Sequence, residues 1–173
     1  MDFKLTKEQE MLRKAVREFA VKKIAPNADQ WDREHYFPYK EAIRPMGELG
    51  FFGTVIPEAY EGEEMGWLAA MIVTEEIARA ASSLRVQVNM QVLGCAYTIL
   101  TYGSEALKQR YIPGLCTAEL IGGFGITEPD AGSDVMAMAS VAEDKGDHWL
   151  ISGSKTWISN ADVADVLIYY AYT

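Results

Sequence analysis

Apolar residues recur at helical spacing over the first two thirds of the chain. Leu12, Val16 and Phe19 follow one another at intervals of four and three residues, which is the spacing of one face of an α-helix. Thr6 precedes this run and Gln9 stands three residues after Thr6, a capping-box pattern. The pattern therefore predicts that the chain opens with an amphipathic helix.

Further helices are predicted downstream. Residues 66–81 are rich in strong helix formers. Residues 85–103 begin with strand-like alternation, but an apolar stripe then persists for about four helical turns, too long for a typical strand, and favours a helix. Ser104 predicts the N-cap of one more helix, with its end at Pro113 and Gly114.

The pattern changes after residue 120. Two short apolar runs flank Ser152, Gly153 and Ser154, which predicts a hairpin, and DVLIYYAY near the end is rich in residues that favour strands. Helices followed by strands indicate an α+β protein. We expect a helical domain over residues 1–119 and the start of an antiparallel β-barrel domain over residues 120–173.

Composition and charge narrow the functional classes. The chain has 173 residues, with 25 Asp and Glu against 16 Lys and Arg and a formal net charge of -9. No block of basic residues is present, which argues against nucleic-acid binding. The start lacks a cationic segment followed by an apolar one, and no apolar run is long enough to cross a bilayer, so we expect a cytoplasmic protein without stable membrane insertion.

Common catalytic and metal-binding patterns do not occur in the sequence. Cys95 and Cys116 stand in apolar surroundings without a CxxC or Cys/His cluster, which predicts buried thiols and no metal site. His35 and His148 have polar neighbours and are predicted to lie at the surface. Neither a P-loop nor a G-x-G-x-x-G is present, so a ligand would use another architecture.

Two segments carry the chemistry. GITEPDAGSD, residues 125–134, combines turn residues, hydroxyls and small side chains that allow a ligand close to the backbone. GSKTWISN follows at residues 153–160. Each segment alone is more typical of a turn or a core position; together they resemble the acyl-CoA dehydrogenase family, and the segments LTKEQEMLRKAVREFA, ELGFFGTVIPEAY, EEIARAASS and YGSEALKQRYIPGL extend the resemblance over essentially the whole chain.

The resemblance implies that FAD binds between these two segments. The cofactor-binding residues would be Phe124, Gly125, Ile126, Thr127, Glu128, Gly132, Ser133, Trp157, Ile158 and Ser159. Trp157 would flank the isoalloxazine ring and Ser159 would offer a hydroxyl toward N5, while Ser133 would also contact substrate. The backbone N–H groups near Ile126 and Thr127, with the Thr127 hydroxyl, are suited to stabilise negative charge on a reduced flavin.

Arg85 suggests the acyl group. A guanidinium at the start of a mainly apolar helix is costly to bury unless an anion meets it. Within the family, this Arg resembles the one with which glutaryl-CoA dehydrogenases bind the distal carboxylate of the substrate; Arg85 and Val86 are thus candidate substrate-binding residues. Decarboxylating members carry a small polar residue after the Arg and a Glu before it, where this chain has Val86 and Ala78, which favours an enzyme that stops at glutaconyl-CoA.

The family reaction also needs groups that this chain is not expected to supply. The family's catalytic base is a glutamate in a C-terminal helical domain, so we expect it beyond residue 173 and assign no catalytic residue here. The implied protein is a homotetramer that passes electrons to electron-transferring flavoprotein. The alternatives are a dehydrogenase for a branched or alicyclic acyl-CoA with a structural Arg85, a non-catalytic acyl-CoA or flavin-binding fragment, and a helical interaction protein.

Overall fold

Helices form the first part of the molecule and short strands the second. The computed structural model describes residues 4–173. Its helices are α1 (Lys7–Phe19), α2 (Ala28–Arg33), α3 (Arg44–Glu48), α4 (Trp67–Ala80), α5 (Ser82–Asn89), α6 (Tyr97–Tyr102) and α7 (Glu105–Cys116), with π-helical turns at Ala20–Ile24, Tyr39–Ile43 and Met90–Ala96 and 3₁₀ turns at Glu58–Tyr60 and Val135–Ala137. Its strands are β1 (Gly122–Gly125), β2 (Val141–Asp144), β3 (Trp149–Ser152) and β4 (Val166–Tyr169).

The helices predicted from the sequence are confirmed. Thr6 caps α1 through a complete capping box: its hydroxyl accepts the Gln9 N–H, and the Gln9 side chain accepts the Thr6 N–H. The segment over residues 82–102 is helical throughout, because α5 runs through the π-helical turn into α6. The long apolar stripe therefore outweighed the strand-like alternation at its start.

The predicted end of α7 is wrong. The helix passes through Pro113 and ends at Cys116. Ile112 and Leu115 are fully buried in the core on either side of the proline, and the Thr117 N–H still bonds to the Pro113 carbonyl at 3.0 Å. Packing of these two side chains outweighs the single hydrogen bond that proline removes.

The predicted hairpin around Ser152–Ser154 is also misplaced. β3 pairs antiparallel with the preceding strand β2, and the turn between them lies at residues 145–148, where Gly146 has φ +92°. Gly153 serves close packing instead, since an added Cβ would lie 2.1 Å from the Ser140 hydroxyl. β1 and β4 form a separate parallel pair, with Gly125 opposite Tyr169.

The strands share a core with the helices. One apolar cluster joins α1, α4 and α5, and a second contains buried side chains of α7 and of the π-helical turn after α5. Val166 and Ile168 of β4 pack against the second cluster. Among residues 4–173, no helix is long and apolar enough to cross a membrane.

Candidate functional site

The two sequence segments lie side by side. The Thr156 N–H donates a hydrogen bond to the Thr127 carbonyl at 3.0 Å, and the Lys155 ammonium donates to the Ile126 carbonyl at 3.2 Å. The parallel pairing of β1 with β4 brings the chain to this point, because residue 126 directly follows β1. The fold therefore joins residues that are almost 30 positions apart in sequence.

A buried ion pair connects these segments. Lys155 Nζ lies 2.7 Å from Glu128 Oε1, and the two side chains are 5% and 6% exposed. Hydrogen bonds from Lys155, the Ser140 hydroxyl and the Ala139 and Ser140 N–H groups lower the Glu128 pKa to about 2. The Glu128 carboxylate thus faces the interior of the protein, whereas the sequence placed Glu128 among the cofactor-binding residues.

Hydrogen-bond donors next to the pair have no acceptor among residues 4–173. The Ile126 and Thr127 N–H groups and the Thr127 and Ser159 hydroxyls form no hydrogen bond with the described part of the chain. All three side chains are half-buried. These are the donors that the sequence pointed to, and the structure leaves them available to a ligand.

Trp157 stands out beside these donors. Its side chain is 91% exposed, and its φ of +57° is rare for a bulky residue. Burial does not explain an exposed indole held in a strained backbone conformation. Strain of this kind is concentrated at ligand-binding sites, which supports a role for Trp157 in contacting a planar ligand.

The remaining predicted cofactor residues differ in exposure. Phe124 is half-buried, with its ring 5.0 Å from that of Tyr170. Gly125 is buried, Ile158 is half-buried, and Gly132 and Ser133 are exposed. An added Cβ on Gly132 would meet nothing within 4 Å, so this turn has an open surface on which a ligand could lie.

Arg85 is half-buried in α5, and its guanidinium has no hydrogen bond or ion pair with any residue that the structure describes. Val86 beside it is also half-buried. Two positions after Arg85, the Gln87 amide donates to Asn160 Oδ1 at 2.6 Å, and Asn160 Nδ2 donates to the Gly122 carbonyl at 2.8 Å. The first bond attaches the helix that carries Arg85 to the loop that carries Trp157, and the second attaches that loop to β1.

Sequence reasoning missed several residues that build the site. Gln87 and Gln91 are buried polar side chains four positions apart on an otherwise apolar helical stripe. Buried amides need partners, so these two interruptions of the stripe were a signal for long-range hydrogen bonds. Lys155 and Asn160 lay within the quoted segment, but nothing local indicated their partners.

The two buried thiols agree with their prediction. Cys95 and Cys116 are free and buried, and burial raises the Cys95 pKa to about 11 and the Cys116 pKa to about 12. His35 and His148 are exposed, as expected. No group of His, Cys, Asp and Glu side chains within residues 4–173 could hold a metal ion.

The donor set fits a flavin. Ile126, Thr127 and Ser159 present free donors, and Trp157 presents an exposed aromatic face next to them. An isoalloxazine ring needs donors for its carbonyl oxygens and ring nitrogens and an apolar surface for its flat face. The residues present can supply both.

Comparison with known proteins assigns the chain to a family. Residues 6–119 match the acyl-CoA dehydrogenase N-terminal domain, and residues 123–173 match the acyl-CoA dehydrogenase middle domain. The glutaryl-CoA dehydrogenase of Desulfococcus multivorans is 77% identical over the whole chain, which spans 45% of that protein. The chain thus covers less than half the length of this relative.

Solved structures agree with this assignment. A glutaryl-CoA dehydrogenase in complex with glutaryl-CoA superimposes on the whole chain with a TM-score of 0.98 at 77% identity, and the chain covers 44% of it. A glutaryl-CoA dehydrogenase of Mycobacterium smegmatis in complex with FADH2 superimposes on 96% of the chain with a TM-score of 0.92 at 30% identity, and 43% of that chain is covered. The helical domain, the strands and the two joined motif segments agree with the two matched domain families. The chain belongs to the acyl-CoA dehydrogenase family.

Proposed function

We propose that this chain is the N-terminal part of an FAD-dependent dehydrogenase that oxidises glutaryl-CoA between its α and β carbons. The observation that carries the choice of substrate is Arg85. Its guanidinium is half-buried and without a partner in the described chain, on a helix that the Gln87–Asn160 hydrogen bond attaches to the candidate flavin loop. The high identity to a glutaryl-CoA dehydrogenase supports the same choice.

Each residue has a proposed task in binding. Arg85 would pair with the distal carboxylate, because its planar fork can bind a carboxylate through two hydrogen bonds. Ile126 and Thr127 would hold the polar edge of FAD, and Trp157 would cover one face of its ring. When bound, FAD supplies the acceptor for a hydride from the substrate β carbon.

Preorganised donors explain how the protein would assist this chemistry. Ile126 and Thr127 belong to a backbone held by the Glu128–Lys155 pair, so their N–H groups need little rearrangement when charge develops next to them. We propose that the α-proton goes to a glutamate beyond residue 173, that the full-length protein is a cytoplasmic homotetramer, and that electron-transferring flavoprotein reoxidises it. The domain division at residues 119 and 120 is part of the same proposal.

The test is anaerobic addition of glutaryl-CoA to the full-length protein while the visible flavin absorbance is recorded. We expect glutaryl-CoA to bleach the flavin at a far lower concentration than pentanoyl-CoA, which has the same chain length without the carboxylate. Bleaching by other acyl-CoA thioesters alone would refute the glutaryl assignment and favour a branched or alicyclic substrate. Bound flavin that no thioester bleaches would favour a non-catalytic binding protein.

Arg85→Gln tests the carboxylate contact directly. We expect this variant to lose at least about tenfold in affinity for glutaryl-CoA, since a charge-assisted bidentate pair is lost, with no comparable change for pentanoyl-CoA. Arg110→Gln is the matched control, because Arg110 is an exposed arginine of α7. Equal effects on both thioesters would show that Arg85 is structural.

A further inference from the structure

We propose that the buried pair of Lys155 and Glu128 is a positioning device for the flavin-facing backbone, an inference that rests on the proposed function. The pair joins the two halves of the candidate site. Its ammonium and carboxylate are 2.7 Å apart, and both side chains are almost completely buried. The structure therefore protects this contact from solvent.

Hydrogen bonds to the Glu128 carboxylate join three segments of the chain. Glu128 accepts the Ala139 N–H at 2.6 Å and the Ser140 N–H at 3.0 Å, in addition to the Lys155 ammonium. Lys155 also donates to the Ile126 carbonyl at 3.2 Å. Residues 126–128, 139–140 and 155 are thus tied to one ion pair.

The strand β4 completes this environment. The Lys155 ammonium lies 5.0 Å from the centre of the Tyr169 ring, within range of a cation–π contact. The Tyr169 and Ser140 hydroxyls are 3.1 Å apart. With these contacts, each charged group has several partners of fixed direction, which leaves the surrounding backbone little freedom.

Stability alone is a weak explanation for such a pair. Removing two charges from water costs several kcal/mol per ion, and well-packed apolar residues often replace a buried pair without loss of stability. The pair instead fixes the position of the backbone, because it holds the Ile126 carbonyl and the Glu128 side chain on either side of Thr127. The N–H groups of Ile126 and Thr127 lie in that same stretch and have no acceptor in residues 4–173.

A direct chemical role fits the structure less well. Both side chains are enclosed and satisfied by each other and by the backbone, so neither is free to exchange a proton with a substrate. Lys155 and Glu128 therefore act through the residues they hold, as supporting residues do at other preorganised sites. We expect the loss of the pair to change flavin binding more than folding.

The test compares Glu128→Gln/Lys155→Met with wild type in the full-length protein. We expect the double variant to keep the wild-type circular dichroism spectrum, so that its FAD affinity is measured on folded protein. Its dissociation constant for FAD should rise about tenfold or more, which is the loss of affinity seen when residues that support the ligands of metal sites are removed. The absorption spectrum of bound FAD should also shift toward that of free FAD. A pair with only a structural role would leave the affinity and spectrum of the folded protein unchanged, whatever its effect on the urea midpoint.

The matched control is Glu143→Gln/Lys145→Met, which neutralises an exposed ion pair on the hairpin of β2 and β3. It should leave the FAD affinity unchanged. If the Glu128/Lys155 double variant does not fold, Glu128→Gln replaces it, since it keeps the shape of the side chain and an oxygen acceptor. Wild-type FAD affinity and spectrum in a folded variant of the pair would overturn the inference, whereas a wild-type protein that binds no FAD would overturn the proposed function itself.

Discussion

Gln91 links the helices to the first strand, and Gln91→Leu should destabilise the protein strongly. The Gln91 side chain is completely buried. Its amide nitrogen donates to the Leu115 and Leu120 carbonyls at 3.0 and 2.9 Å, and its amide oxygen accepts the N–H of Gly122, the first residue of β1. Leucine has almost the same volume, so the substitution removes the hydrogen bonds without leaving a large cavity.

The expected magnitude follows from the groups left without a partner. The Leu115 carbonyl keeps a contact with the Ala118 N–H at 3.4 Å, whereas the Leu120 carbonyl and the Gly122 N–H lose their hydrogen bond to Gln91. Each buried polar group left unpaired costs about 1–3 kcal/mol, so we expect a loss of about 3 kcal/mol in the free energy of unfolding. With a urea m-value of about 2 kcal/mol/M, the midpoint should fall by about 1.5 M.

Urea titration followed by circular dichroism measures this change. Gln109→Leu is the matched control, because the Gln109 side chain is exposed and donates to Glu105 on the same helix, and we expect an effect within about 0.5 kcal/mol. An equally small effect of Gln91→Leu would refute the reasoning, since it would mean that the Leu120 and Gly122 groups find other partners.

Gln91→Glu provides a second measurement at the same position. A buried carboxyl has a raised pKa, because burial disfavours its charged form. The folded protein would then bind more protons than the unfolded chain, and its stability would rise as the pH falls. If the difference in stability between this variant and wild type did not change with pH, that result would contradict the buried hydrogen-bond network.

Two further predictions concern groups with shifted pKa values. Cys95 and Cys116 have pKa values raised by burial to about 11 and about 12, so we expect neither thiol to react with Ellman's reagent at neutral pH until urea unfolds the protein; rapid labelling of the native protein would contradict this. The Glu128 pKa is lowered from 4.5 to about 2, so the stability that its charged form contributes is fully present above pH 4.5 and is lost as the pH falls through 2. The difference in urea midpoint between wild type and Glu128→Gln should therefore shrink between pH 5 and pH 3, and a constant difference would exclude this assignment.

Local signals predicted most helices because their determinants lie within a few residues. The capping box at Thr6 and the apolar spacing over residues 85–103 depend on neighbours one or two turns away, and both predictions are confirmed. The end of α7 was predicted wrongly because it depends on contacts with distant parts of the chain. Pro113 is a local stop signal, but the burial of Ile112 and Leu115 against other helices decides where the helix ends.

The position of the hairpin was predicted wrongly for a similar reason. Gly153 is a plausible turn residue by local criteria, yet Ser140 packs against it from 13 positions earlier in the chain. β3 instead pairs back with β2 through the turn at residues 145–148, with Val141 opposite Ser152. No pattern confined to residues 149–158 contains this information.

Local patterns in the sequence were enough to predict the helical start, the change to strands, the two motif segments and the family they resemble. The pairing of distant side chains depends on the packed fold: Lys155 meets Glu128, Gln87 meets Asn160, and Gln91 meets the start of β1. Periodicity reports which face of an element is buried, whereas a buried polar group chooses its partner by distance and direction after the elements have packed. For the same reason the sequence could place the Ile126 and Thr127 donors in a motif, but only the fold shows that their N–H groups have no acceptor in residues 4–173.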